Sequence, residues 1–177
     1  NPSGVRPDMA EHFVLPATVD NGARLQLCPA DVADELGQVL AEHSDPRFRY
    51  LLVCRRILEA MNSAYRDAER TRRKYPVNWA YMNPMDMADE ALNEGERIAI
   101  DSECGQIHAV VKAEAALRRG VISMTHLFGE LQASRDPLQQ AGSFTGALTS
   151  LQQHLEPINF MPRFSGVPIN VATANAD

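Results

Sequence analysis

From residue 97 to residue 124 apolar side chains recur at every second position, and that period confines the segment to closely spaced strands. Arg97-Ile98-Ala99-Ile100-Asp101 and Ile107-His108-Ala109-Val110-Val111 alternate on either side of Glu103-Cys104-Gly105-Gln106, the pattern of a hairpin. Leu117-Arg118-Arg119-Gly120 supplies a second turn and Val121-Ile122-Ser123-Met124 a third strand. Just before this block, Asn83-Pro84 opens a helix. Asparagine accepts a backbone N–H as N-cap, and proline loses nothing at the first helical position. Asp86 adds a negative charge in the first turn, against the positive end of the helix dipole. A short helix feeding closely spaced strands predicts a compact β-rich barrel or sandwich.

Around that block the chain divides into an irregular lead-in over residues 1–23, expected to arrive from a preceding domain, and one domain over residues 24–177. With 177 residues and 45 % hydrophobic content it can bury one core of ordinary size. Arg24-Leu25-Gln26-Leu27 predicts a short strand, and residues 31–42 an amphipathic helix with Val32, Leu36, Val39 and Leu40 on one face. Tyr50-Leu51-Leu52-Val53 is apolar at every position, which predicts a strand buried on both faces. The basic run from Glu69 to Lys74 suits a solvated helix end, stopped by Tyr75-Pro76. Trp79 is expected in the core, residues 134–146 in a surface loop, and residues 167–172 in a terminal strand whose Pro168 marks an edge.

Chemistry-bearing residues gather at the ends of these elements. Arg55 and Arg56 leave the apolar strand, where guanidinium groups can fork onto phosphate oxygens or a guanine edge. Asn62, which both donates and accepts, and Ser63 follow in the loop. The same residues also suit a plain surface, with Asn62 as a helix cap. The free N–H groups at the Asn83 helix start attract phosphate or a carbonyl, or Asn83 does no more than cap. Thr125 and His126 end the third strand, close to Gly129, where backbone amides can approach a ligand or a histidine can simply pack.

These residues carry a family resemblance. Asn83-Pro84, Asp86, Leu92, Gly95, Ser102, Gly105, Gly120-Val121, His126 and Gly129 stand in order. So do Arg55, Arg56, Leu58, Asn62 and Ser63 after an apolar strand, and the closing run from Phe160 to Val171. The chain resembles the C-terminal dinucleotide-binding domain of the dimethyl sulfoxide reductase family of molybdenum oxidoreductases, which includes formate dehydrogenases and nitrate reductases. It departs from that pattern at Cys54, Ala64, Arg66-Asp67, Thr125, Leu127-Phe128 and Ala147. The resemblance implies a mixed, β-rich fold: a double-psi β-barrel of the aspartate decarboxylase-like kind with flanking α-helices. It implies a molybdopterin guanine dinucleotide cofactor, in the bis form with molybdenum or tungsten, in the full-length enzyme, and none in the isolated chain. Arg55 and Arg56 would meet phosphate or guanine, Asn62 and Ser63 the pterin or ribose, and Asn83 the nucleotide. Thr125 and His126 would face the pterin, with Arg163 as a further cation near it.

The chain's own residues supply no reaction. No H-x-x-x-H, GxSxG, GxxxxGK[ST] or GxGxxG occurs, and Cys28, Cys54 and Cys104 form no CxxC, so neither catalytic nor metal-ligating residues are expected. The cofactor would carry the redox chemistry and this domain its binding and orientation. The isolated chain is therefore expected to be inert. Its partners would be the preceding catalytic domains of the same polypeptide and a small-molecule redox substrate. A net charge of −6 argues against a nucleic-acid partner, and no apolar run is long enough for a membrane span. A cytoplasmic location is expected, with the periplasm left open because no initiator methionine is present. The rival reading is a non-catalytic double-psi barrel adaptor or separate small subunit that binds a protein partner.

Overall fold

The computed structural model describes residues 27–128 and 143–174. The expected strand at 24–27 therefore falls almost wholly outside the described residues, as does the loop from 134 to 142. Residues 1–41 and 42–177 form two separate units. In the first, α1 spans Ala30–Ala41 with no buried residue.

The second unit is a closed six-stranded barrel with the strand order β1-β5-β2-β4-β3-β6. Its strands are β1 (Tyr50–Arg55), β2 (Trp79–Met82), β3 (Arg97–Asp101), β4 (Gln106–Ala113), β5 (Val121–Thr125) and β6 (Val167–Thr173). Among the described residues its helices are α2 (Glu69–Lys74) and α3 (Pro84–Asp89). The hairpin pairs Ile98 with Ala109 and Ile100 with Ile107, the register that the alternation requires. β5 does not continue that hairpin. It lies between β1, parallel, with Leu51 level with Val121 and Arg55 with Thr125, and β2, antiparallel, with Tyr81 level with Ser123.

Period-two burial fills the barrel. Leu52, Met82, Ile98, Ile100, Ile107, Ile122, Met124 and Ile169 point inward at 2 % exposure or less, each contributing about 1.5–3 kcal/mol by leaving water. The same parity corrects two expectations. β1 is buried on one face only: Tyr50 and Leu52 face inward while Leu51 is 38 % exposed, because a barrel wall has one dry side. In β2, Ala80 and Met82 take the inside positions, so Trp79 lies on the outer face, with the Lys112 ammonium 5.2 Å from its ring.

β6 also departs from expectation. Barrel closure pairs it with β1 and β3, so it is not an edge strand. Pro168 is accommodated locally. Its partner Leu51 directs its own N–H to the Gly120 carbonyl on the far side, which makes Leu51–Pro168 a non-hydrogen-bonded pair with no rung to lose.

Candidate functional site

β1 and β5 run parallel and end together, so their carboxyl ends bring Arg55, Arg56, Thr125 and His126 to one end of the barrel. The loop after β1 folds back as a two-residue turn closed by the Met61–Ala64 bridge. Asn62 takes a left-handed φ of 51° there, which asparagine tolerates better than most residues. Its Oδ1 accepts from an Arg56 terminal nitrogen at 3.2 Å and lies 3.2 Å from His126 Nε2. One carbonyl oxygen thus joins a guanidinium and an imidazole from two separate strand ends. Partial burial, then the Arg56 charge, hold the His126 pKa below its ordinary value, so the ring favours its neutral form. Ser63 is exposed at the second corner of the same turn. Among the described residues Arg56 has no carboxylate partner. Its remaining N–H groups, the Asn62 amide donors and His126 Nδ1 are available as a mixed set of donors and one acceptor.

The two arginines do not act as a pair. Arg55 lies flat on the Tyr81 ring, 3.7 Å from its centroid, with Glu114 3.8 Å away. Successive residues leaving a strand face opposite ways, so Arg55 covers the outer wall while Arg56 reaches the loop. Thr125 is 8 % exposed, and its Oγ1 accepts from the Leu127 N–H at 3.2 Å. Arg163 precedes β6 on the segment that reaches β1 where Cys54 N–H donates to Ser165 Oγ at 3.2 Å. Its guanidinium is forked onto Glu42, one contact being 2.7 Å. That bond, chiefly, lowers the Glu42 pKa.

Asn83 stands apart. Its side chain accepts the Met85 N–H at 2.9 Å and donates to the Leu117 carbonyl at 2.7 Å. It follows Met82, which is level with Ile122, so it sits beside the start of β5, about 13 Å along the strand from Thr125 at ~3.3 Å per residue. The cluster of Arg56, Asn62 and His126 does not include it.

Sequence reasoning missed three buried polar residues at the site end. Asn78, Ser143 and Thr145 are 2 %, 1 % and 1 % exposed, and the last two lie in what was expected to be a surface loop. Thr145 opens a 3₁₀ turn, Thr145–Leu148, that packs its Leu148 into the core. That apolar anchor pulls both polar neighbours inward. A polar stretch between a Gly-Ser turn and one leucine carries no period from which burial could be read.

The barrel that carries these residues is similar to known proteins. The family model described as molydopterin dinucleotide binding domain matches residues 50–168, about two-thirds of the chain and the barrel from β1 into β6. Among solved structures, acetylene hydratase from Pelobacter acetylenicus superposes with a TM-score of 0.61 at 17 % identity over 86 % of this chain, a likeness of fold. The chain spans 21 % of that protein's length. No curated protein matches the sequence. On the family match, the chain belongs to the molydopterin dinucleotide binding domain family.

Proposed function

We propose that this domain is the C-terminal, cofactor-holding part of a larger oxidoreductase of the formate dehydrogenase and nitrate reductase type. It would be built on a double-psi barrel and hold the guanine dinucleotide arm of a molybdopterin cofactor, in a bis form with molybdenum or tungsten. The observation that carries this reading is the Arg56–Asn62–His126 cluster at the shared carboxyl end of β1 and β5. The residues present fit such a group. An exposed guanidinium without a carboxylate partner among the described residues suits phosphate. A carboxamide turned donor-outward and a neutral imidazole suit the polar edge of a purine or pterin. When bound, the cofactor supplies the electron exchange with substrate. The chain's own part is to bind and orient: Arg56 anchors phosphate, Asn62 and Ser63 read ribose or pterin, and His126 with the Thr125 turn borders the pterin side. Arg55 and Arg163, each with a carboxylate beside it (Glu114 and Glu42), are assigned to support the loop and strand ends rather than to bind phosphate. Asn83 is left out of the contact set, because both ends of its amide already serve the backbone.

Several apolar side chains stand in water. Leu58, Met61 and Tyr65 in the loop after β1, and Leu151, Phe160 and Met161 before β6, are 60 % exposed or more. An apolar surface beside a ligand site calls for a protein cover. In this reading the cover is the preceding catalytic domains of the same polypeptide; in the adaptor reading it is a separate partner protein. The isolated chain turns over no substrate under either.

GMP titrated into the isotope-labelled chain tests the assignment. Several millimolar suffices to populate a site with a Kd of about 1 mM. Shifts are expected at Arg56, Asn62 and Leu127, and the Arg56→Ala variant should lose them. Shifts centred on residues 83–90, or none, would overturn the assignment.

A further inference from the structure

Asn78 is the one polar residue among the largest fully buried side chains of the described residues. It stands immediately before β2 and is 2 % exposed. Its Nδ2 donates twice, to the Thr125 carbonyl at 2.9 Å and to the Ser143 carbonyl at 3.0 Å. Both acceptor residues are buried, and a backbone carbonyl removed from water needs a partner. A single carboxamide satisfies two of them, one on each side of residues 129–142.

The Thr125 carbonyl shares its rigid peptide plane with the His126 N–H. Whatever holds that oxygen therefore sets the direction in which the His126 ring leaves the backbone. The Leu127 N–H bond to Thr125 Oγ1 fixes the next peptide. Filling space does not account for this asparagine. An apolar residue of similar size would leave the Thr125 and Ser143 carbonyls unpaired, and the asparagine is kept although its own Oδ1 has no partner among the described residues, nor do the hydroxyls of Ser143 and Thr145.

We propose that Asn78 is a positioning residue for the cofactor-facing cluster, clamping the Thr125 and Ser143 carbonyls so that His126 stands against Asn62 and Arg56. The proposal rests on the functional reading of that cluster given above, but the clamp can be tested without ligand. In the unaltered chain, couplings across hydrogen bonds should connect Asn78 Nδ2 to the carbonyl carbons of Thr125 and Ser143. The Asn78→Leu variant stays close in volume and has no donor for either carbonyl at any pH. Its His126 ring and Leu127 amide resonances should move while the His108 ring on β4 keeps its resonances, and GMP affinity should fall at least tenfold.

A folded Asn78→Leu chain with His126 unmoved, or with His126 and His108 moving alike, overturns the proposal. Should that variant not fold, the unaltered chain decides: the couplings support the clamp and their absence overturns it. Movement of His126 in a chain whose unaltered form never responds to GMP supports the clamp and overturns only the nucleotide reading.

Discussion

The two ends of the β1–β5 pair use polar residues in opposite ways. At the amino end Asp86, Arg119, Arg49 and the Tyr50 hydroxyl all find partners. Asp86, 3 % exposed, accepts from the Gly120 N–H at 2.7 Å and from Arg119 Nε at 2.8 Å. Arg119 also reaches Asp89, Arg49 pairs with Asp89 and Glu90, and the Tyr50 hydroxyl donates to Glu90 at 2.7 Å. Burial, then that bond to Glu90, push the Tyr50 phenol well above its ordinary pKa. This network ties α3 to the start of β1 and to the turn before β5. At the carboxyl end Arg56, exposed, and His126, half-buried, share one carbonyl oxygen through 3.2 Å contacts. Satisfied polar groups hold a fold together, and groups left with spare valence bind something else.

The sharpest test of that contrast is Asp86→Ala. It removes a charge-assisted acceptor from a part-buried N–H and from Arg119, and should lower unfolding free energy by about 1.5–3 kcal/mol in urea denaturation. GMP-induced shifts at Arg56 should survive. A loss of both would mean the two ends are not independent.

A packing variant that touches neither polar network gives the scale. A Cβ on Gly105 would stand 2.8 Å from the Ala147 carbonyl oxygen, a backbone atom that cannot swing aside. Gly105→Ala should therefore cost about 1–3 kcal/mol, again by denaturation, with the Asn62 and His126 resonances little changed.

Arg56→Ala should do the reverse of Asp86→Ala. Its stability should stay within about 0.5 kcal/mol of the parent, because the side chain is exposed and its one bond among the described residues is to a neutral acceptor and long. Nucleotide response should disappear. A stability loss as large as that of Asp86→Ala would erase the distinction between the ends.

The smallest expected effect is in pH. The folded chain holds His126 below its ordinary pKa, so as pH falls through the ordinary imidazole range the unfolded chain takes up the proton first. Stability from this residue is complete above about pH 6.5 and declines as pH falls through the folded value. Removing Arg56 should shrink the decline, as measured by thermal unfolding between pH 5 and 7. A decline of equal size in both proteins would leave only burial as its cause.

How much of this was legible beforehand varied with the range of the interaction. The β3–β4 hairpin, the proline-started α3 with Asn83 as its cap, and β6 follow from neighbours in the chain and were readable as such. Strand parity was legible too, but its sign was not. Nothing local says which face of Tyr50–Arg55 or Trp79–Met82 meets a core, so Trp79 was expected inside and Leu51 buried. Arg55 and Arg56 looked like a pair because they are adjacent, and alternation turned them apart. Asp86 was assigned to a helix dipole, and its partners Arg119 and Gly120 became visible only once the turn before β5 was brought beside α3.

The residues alone determined the list of strands, the caps and turns between them, and the kinds of side chain standing at each strand exit, because φ/ψ preference and apolar period act over a few positions. Only the tertiary structure decided that β5 enters between β1 and β2, and hence that Arg56, Asn62 and His126 meet while Asn83 does not. Strand order is set by which faces can be buried together around one closed wall, and that sum runs over the whole barrel rather than over any stretch of it.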